Sequence, residues 1–354
     1  MSLFDRYMAR AILAATALVL LVILFLDAFF GFLGEGKYVA RYADYSYWHA
    51  IGYVMLRVPG KAMEFMPAIT LIGALLGLGT LASNSELTAM RAAGLSKGRI
   101  VWGGMKTGLI IALAVALLGE YVAPQSDLKA AAFRAQAQGR AITSELRDFW
   151  LKNGDEFVYI KRAEPDKRLR GVRIFQVQEG ELKRLLKAAS AQHTASGWRL
   201  NQVREYRFED DAVSRKVIGQ MTKSQLVDVD LFEVAQLSPE NMRLLELDNY
   251  IAYLDDNRLE ATLYRKAFWK KVTAPLSILV MLLLAMPFIF ANRRSGNAGA
   301  RLVIGILFGM SYYIISSLIE NLGQVYGVPV LLGAFTPIVA FTALGFWLLK
   351  RSEA

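Results

Sequence analysis

Six apolar runs, three on each side of a long polar stretch, constrain this chain more than any other feature it has. Residues 11–33, about 62–82, 100–123, 272–291, 302–323 and 328–349 each reach the roughly 20 residues needed to cross a bilayer as a helix. Hydrocarbon offers no partner to a backbone donor, so each run is expected to be a transmembrane helix. The first is too long for a signal-peptide core and no A-x-A site follows it, so it is expected to remain as a span. Composition agrees: 55% of the 354 residues are hydrophobic. The division expected is 1–124 (spans one to three), 125–263 (a polar domain) and 264–354 (spans four to six).

The polar middle is electrically balanced, so the formal charge of +10 lies in the membrane part. With the termini and the loops 83–99 and 291–301 on the cytoplasmic side, that side holds Arg6, Arg10, Arg91, Lys97, Arg99, Arg293, Arg294, Arg301, Lys350 and Arg351. The opposite side holds Lys37, Arg41, Arg57, Lys61, Arg265, Lys266, Lys270 and Lys271. The positive-inside bias is small but favours cytoplasmic termini and a periplasmic 125–263. An anionic substrate in the envelope would explain the outer cations.

Within 125–263, Glu156–Arg162, Gly171–Val177, Gly197–Val203, Glu205–Phe208 and Val217–Leu231 alternate as half-buried strands, with turn material at Pro165-Asp166 and Glu179-Gly180. That spacing suggests a sandwich or jellyroll. Ser238-Pro239-Glu240 then opens helical pattern, with proline at the first helical position.

Between spans two and three, Ser83-Asn-Ser-Glu-Leu-Thr-Ala-Met-Arg-Ala-Ala-Gly94 reads as a short amphipathic helix of three turns. Ser83 and Glu86 have capping-box spacing and Gly94 is a stop. Leu87, Met90 and Arg91 share a face. Such a helix either lies in the headgroup layer or presents Leu87 and Met90 to a groove on a soluble partner, with Glu86 and Arg91 for charge pairing.

Chemistry of other kinds is sparse. There is no cysteine, which excludes disulfides, thiol catalysis and cysteine-ligated metals, and His49 and His193 stand far apart. Gly31-x-x-x-x-Gly36-Lys37-Tyr38 has tyrosine where a phosphate loop needs serine or threonine, and follows a span where it should follow a strand. Asp27, Glu120 and Glu320 are ionisable groups at membrane depth, where such groups face cavities, partner helices or the wetted interface. Gly73/Gly77 and Gly305/Gly309 have the spacing of close helix contact, either within the chain or, for the second pair, with a neighbouring subunit, where that pair is placed here.

Together these residues carry a resemblance. Asp5-Arg6-Tyr7, the run Pro67–Gly79 leading to Ser85-Glu86-Leu87 and Ala93-Gly94, Gly119-Glu120-x-x-Ala-Pro124, Arg134-Ala-Gln136, Phe157-Val-Tyr-Ile160 and Tyr326-Gly-Val-Pro329 resemble the lipopolysaccharide-export permease family, LptF and LptG. The likeness covers nearly the whole chain, and Phe157–Ile160 after Trp150-x-Lys152-x-Gly154 looks more like the LptG branch.

The resemblance implies the permease half of an ABC exporter in the Gram-negative inner membrane: six transmembrane helices with an inserted periplasmic all-β jellyroll-like domain. It implies an LptF-like partner, an LptB-like ATPase dimer that uses ATP and Mg, an LptC-like single-span protein, and lipopolysaccharide as cargo. Neither a cofactor of its own nor nucleic acid is implied. Residues 84–94 become the coupling helix, with Glu86 pairing to a basic group on the ATPase. Lys37 and Arg134 match the family's substrate-facing cations; Arg41 and the group Arg265, Lys266, Lys270, Lys271 are added by proximity. Gly31, Tyr38 and Ala131 stand where some relatives carry further cations. Asp27, Phe30, Phe308 and Tyr312, with Leu26 and Phe29, are expected along the acyl-chain path. A lipoprotein-release subunit fits less well, since its large domain would follow the first span. An envelope-lipid enzyme lacks a nucleophile or metal constellation.

Overall fold

The computed structural model describes residues 2–139, 147–164, 168–178, 180–194, 197–209, 212–224, 226, 238–291 and 298–351. Arg293, Arg294, the Pro165-Asp166 turn, Glu179 and residues 227–231 lie outside the described residues.

The six apolar runs are all helices long and apolar enough to cross a membrane. They are α1 (Leu3–Arg41), α2 (Tyr47–Ser83), the continuous path from α4 (Lys97–Leu117) through a π turn (Leu118–Val122) into α5 (Ala123–Ala137), then α7 (Thr262–Ala291), α8 (Ala298–Tyr326) and α9 (Val330–Arg351). The short α3 (Glu86–Ala92) joins α2 to α4. The chain divides into two compact units, Met1–Gly139 with Thr262–Ala354, and Arg140–Ala261. The boundary read at residue 125 falls inside α5, because the helical path outlasts its apolar stretch.

In the helical unit α7 is the centre: 67% of its most apolar stretch is buried, against 17% for α1 and 11% for α8. Its Ile278, Met281, Leu282, Leu284, Ala285 and Met286 pack with Leu71–Leu81 of α2, Ile100–Val115 of α4, and Ile338 and Phe341 of α9. Lipid tails are as apolar as leucine, so such helices associate by close packing at small residues and not by escape from water. Gly73 and Gly77 provide it for α1: a Cβ at Gly73 would lie 2.3 Å from Thr16 Oγ1, and one at Gly77 would lie 2.5 Å from the Ala11 carbonyl oxygen. The Gly305/Gly309 pair of α8 also packs within the chain and does not form the expected subunit contact. Cβ atoms there would meet Ile72 at 2.9 Å and Ala68 at 3.1 Å, both on α2.

The second unit holds one antiparallel sheet in sequential order: β1 (Arg147–Asn153), β2 (Glu156–Glu164), β3 (Arg168–Gln178), β4 (Glu181–Thr194), β5 (Gly197–Glu209) and β6 (Ala212–Lys223). Among the described residues the jellyroll-like domain is thus a meander whose strands pair with their chain neighbours. Its core takes Val158, Ile160, Leu169, Val172, Ile174, Leu186, Ala188, Ala191, Trp198, Leu200 and Val203. The inward face skips an extra residue at matching places in three adjacent strands, from Leu169 to Val172, Ala188 to Ala191 and Leu200 to Val203. Gly171 and Gln202, both at positive φ, sit in two of these steps. A row of such steps bends a sheet, and Lys223 at the end of β6 meets Glu156 at the start of β2. The helical pattern expected from Ser238 begins as one 3-10 turn, Pro239–Asn241; the α-helix proper, α6, is Leu244–Asp256.

Glu205 on β5 is 3% exposed, accepts a hydrogen bond from Arg207 Nε at 2.8 Å and forms an ion pair with Arg184, also at 2.8 Å. The Arg207 hydrogen bond, then the charge of Arg184, hold its carboxyl below the usual carboxylate range against the opposing effect of burial. A depressed carboxylate stabilises the fold above its unfolded pKa, about 4.3, and that stability is lost as pH falls through the lower folded value. Limited proteolysis at decreasing pH should therefore open the sheet unit below about pH 4. Glu205→Gln should flatten that acid limb.

Candidate functional site

Two places bring the chemistry-bearing residues together, one at each end of the helices. The first is the corner of α2, α3 and α4. The expected capping box does not form, because α2 runs on to Ser83, whose hydroxyl donates back to the Thr80 carbonyl at 2.9 Å. Ser85 takes the left-handed conformation at φ 60° and α3 starts at Glu86, giving two turns in place of three. Gly94 does stop it, at φ 94°, with Leu95 N–H donating to Met90 and Gly94 N–H to Arg91. This double closure is what a glycine just beyond a helix end makes possible.

The faces of α3 differ from expectation. Leu87 is buried in the chain's own core and Met90 packs against that core, so neither is offered to a partner groove. Thr88, Arg91 and Ala92 are exposed instead. Glu86 is half-buried, and its carboxylate accepts from Tyr7 Oη at 2.6 Å and Asn84 Nδ2 at 3.4 Å. Tyr7 lies on α1, so one hydrogen bond ties the short helix to the first span. Two residues earlier, Asp5 is 1% exposed and accepts from Lys106 of α4 at 3.0 Å, with Arg99 at 3.9 Å. Asp5 also caps α1 through a reciprocal pair with Ser2. Neither Asp5 nor Tyr7 was assigned a role from sequence; a lone acid followed by an aromatic at a helix start carries no such signal.

The second place is the far end of α1, α2 and α5. Arg134 and Lys37 both contact the ring of Tyr38: the guanidinium carbon lies 3.9 Å from its centroid and Lys37 Nζ 5.1 Å. Tyr53 stacks on Arg134 as well, at 4.7 Å, and its hydroxyl accepts from Nη1 at 3.1 Å. Beneath them is a group missed in the sequence. Glu35, with its side chain 8% exposed, pairs with Arg134 Nη2 at 3.2 Å and accepts from Tyr45 Oη at 2.8 Å. Burial first, then the hydrogen bond to Glu35, push the Tyr45 hydroxyl above its ordinary range. Glu35 lies just beyond the apolar run 11–33, inside the failed phosphate-loop pattern, and so was not flagged with Asp27. That pattern is helical throughout, within α1, and so cannot form a loop around phosphate.

The other expected residues separate. Arg41 is exposed, Asp27 is half-buried, and Phe30 is 65% exposed on the outer side of α1. Phe308 and Tyr312 turn inward, away from any acyl-chain path open to the outside. Phe308 meets Phe288 with ring centroids 5.1 Å apart, and Tyr312 bonds the Ser277 hydroxyl and meets Phe341 at 5.1 Å. The outward stripe of α8 is Val303, Leu307, Met310 and Ile314, facing the same way for about three turns. Of the outer cation group, Lys271 is drawn in to Glu120 at 3.8 Å and the Gly119 carbonyl at 3.4 Å, in the π turn. Among the described residues no three His, Asp or Glu gather as metal ligands.

The family described as "Lipopolysaccharide export system permease LptF/LptG" matches residues 6–351. The chain belongs to the LptF/LptG family. It is 34% identical to the lipopolysaccharide export system permease protein LptG of Escherichia coli K12, over 99% of this chain and 98% of that protein. To LptG of Haemophilus influenzae it is 32% identical, with the same coverage. Similarity to LptF of Escherichia coli K12 is lower, 24% over 76% of this chain and 74% of that protein. The chain is therefore a lipopolysaccharide export permease subunit, nearer LptG than LptF, with six membrane-spanning helices and a β unit inserted between the third and fourth.

Proposed function

We propose that this permease works as the LptG-type half of an ABC exporter that lifts lipopolysaccharide out of the inner membrane, driven by ATP and Mg on a separate LptB-like ATPase dimer. The observation that carries the reading is the match across residues 6–351 to a permease family, in a chain whose short α3 is tied to α1 by Tyr7 and Glu86. Both termini and α3 face the cytoplasm, and the β unit faces the periplasm, where it passes cargo towards an LptC-like protein. A basic group of the ATPase takes the open side of the Glu86 carboxylate. Movement of α3 then reaches α2 through buried Leu87 and α1 through Tyr7. At the outer end Lys37 and Arg134 meet lipid A phosphates; the Glu35 partner and the two tyrosine rings hold the guanidinium ready for bidentate contact. The exposed apolar stripes of α1 and α8 face an LptF-like partner and the acyl chains, with Phe30, Phe29 and Leu26 on that path.

Gentle detergent extraction of the tagged chain tests this. A second six-span chain and a soluble ATPase should co-purify, and nucleotide hydrolysis should rise when lipopolysaccharide is added. A chain that purifies alone and hydrolyses an envelope lipid by itself would overturn the reading.

A further inference from the structure

A second charged recess lies away from both places described above. The first turns of α7, the last turns of α8 and the start of α9 enclose a cleft of about 370 Å³, within the range of small-molecule sites. Lys266, Lys270 and Glu320 line it, with Arg265, and Trp269, Val328, Val330 and Leu331 supply apolar wall. All belong to the helical unit, and the cleft sits where the apolar runs of α7 and α8 end, at headgroup depth. Gly327, at φ 68°, makes the tight α8–α9 turn at its rim. Trp269 is fixed by Phe335, ring centroids 5.7 Å apart.

Lys266 and Lys270 on one wall and Glu320 on the other carry charges of opposite sign. Among the described residues Lys266, Lys270 and Glu320 form no salt bridge, whereas their neighbour Lys271 turns inward to Glu120. Opposite charges held apart around one recess at the edge of hydrocarbon are poorly compensated by a thin layer of water. A ligand that carries an anion and a primary ammonium on one short chain satisfies both walls. We propose that this cleft binds a phosphoethanolamine headgroup, the phosphate on Lys266 and Lys270 and the ammonium on Glu320, with the attached glycerol lying on Trp269 and the apolar wall. The inference needs the chain to span a membrane but is independent of its cargo.

The test uses the full chain in the complex with which it co-purifies, exchanged into nanodiscs of equal phosphatidylethanolamine and phosphatidylglycerol. After mild delipidation, native mass spectrometry counts the retained lipids. Retention should favour phosphatidylethanolamine by about tenfold, the size of one charge-assisted hydrogen bond. Glu320→Gln should bring that ratio near one while keeping phosphatidylglycerol bound, and Glu320→Asp should restore it in part. The double variant Lys266→Gln, Lys270→Gln should lower retention of both lipids about tenfold. Competition by soluble phosphoethanolamine would assign the site to the headgroup on any carrier; a kept ratio without competition would assign it to the intact glycerophospholipid. Equal retention by the unaltered protein, or a ratio unmoved by Glu320→Gln, overturns the proposal.

Discussion

Reversing the charge at Glu86 to lysine should uncouple the transporter: the purified complex loses lipopolysaccharide-stimulated ATP hydrolysis while the chain still inserts and folds. A hydrogen bond from a charged partner is worth about 1.5–3 kcal/mol, and truncating one side of a buried charged contact costs about 2–5 kcal/mol. Affinity for the ATPase should therefore drop by about tenfold to several thousandfold. Glu86→Gln should retain part of it, since the amide oxygen still accepts a hydrogen bond. Tyr7→Phe separates the tie to α1 from the proposed ATPase contact. It removes the 2.6 Å tie to α1 but leaves the side facing solvent, so assembly should stay normal and transport per ATP should fall. Normal stimulated turnover in Glu86→Lys would remove α3 from the drive train.

The larger effect on stability is expected at Gly73. A valine there must place its Cβ within 2.6 Å of the Thr16 Cα, a backbone atom that no rotamer change moves aside. The seam between α1 and α2 has to open along its length. Overpacking costs about 1–3 kcal/mol where side chains can yield, and backbone contact on one side puts this case at or above the top of that range. Thermal unfolding in detergent should shift down by several degrees or the protein should fail to accumulate. Gly34→Ala, on α1, the other helix of this seam, is the control, because a Cβ there meets nothing within 4 Å. An unchanged melting point for Gly73→Val would mean that α1 and α2 do not meet as described.

Apolar length located all six spans because a helix in hydrocarbon has one way to satisfy its backbone, and the residues need only be counted. The strands were less legible. β4, Glu181–Thr194, is rich in Ala, Leu, Lys and Arg, residues that favour helix, and went unread; pairing with β3 and β5 decides its state, not propensity. Gly305 and Gly309 announced a close approach without saying to what. Yet Phe308 and Tyr312 share their helical face, so placing the glycines against a subunit and the aromatics on a lipid path were two statements about one surface. The packing on α2 and α7 settles both together. At the outer end the cations were legible through resemblance, while Glu35 was not, because its meaning depends on Arg134 arriving from α5, ninety-nine positions along the chain.

The centrality of α7 sets an order of events during synthesis. Spans one to three leave the ribosome without the helix around which they pack, and the whole Arg140–Ala261 unit must be translated first. At about 5–20 residues per second that interval is on the order of ten seconds. For that time Gly104 and Gly108 of α4, shaped to receive Met286 and Leu282, face either lipid or an insertion chaperone. Slow codons within the β unit would lengthen the exposure, and the newborn first half should be the form that quality-control proteases of the membrane find.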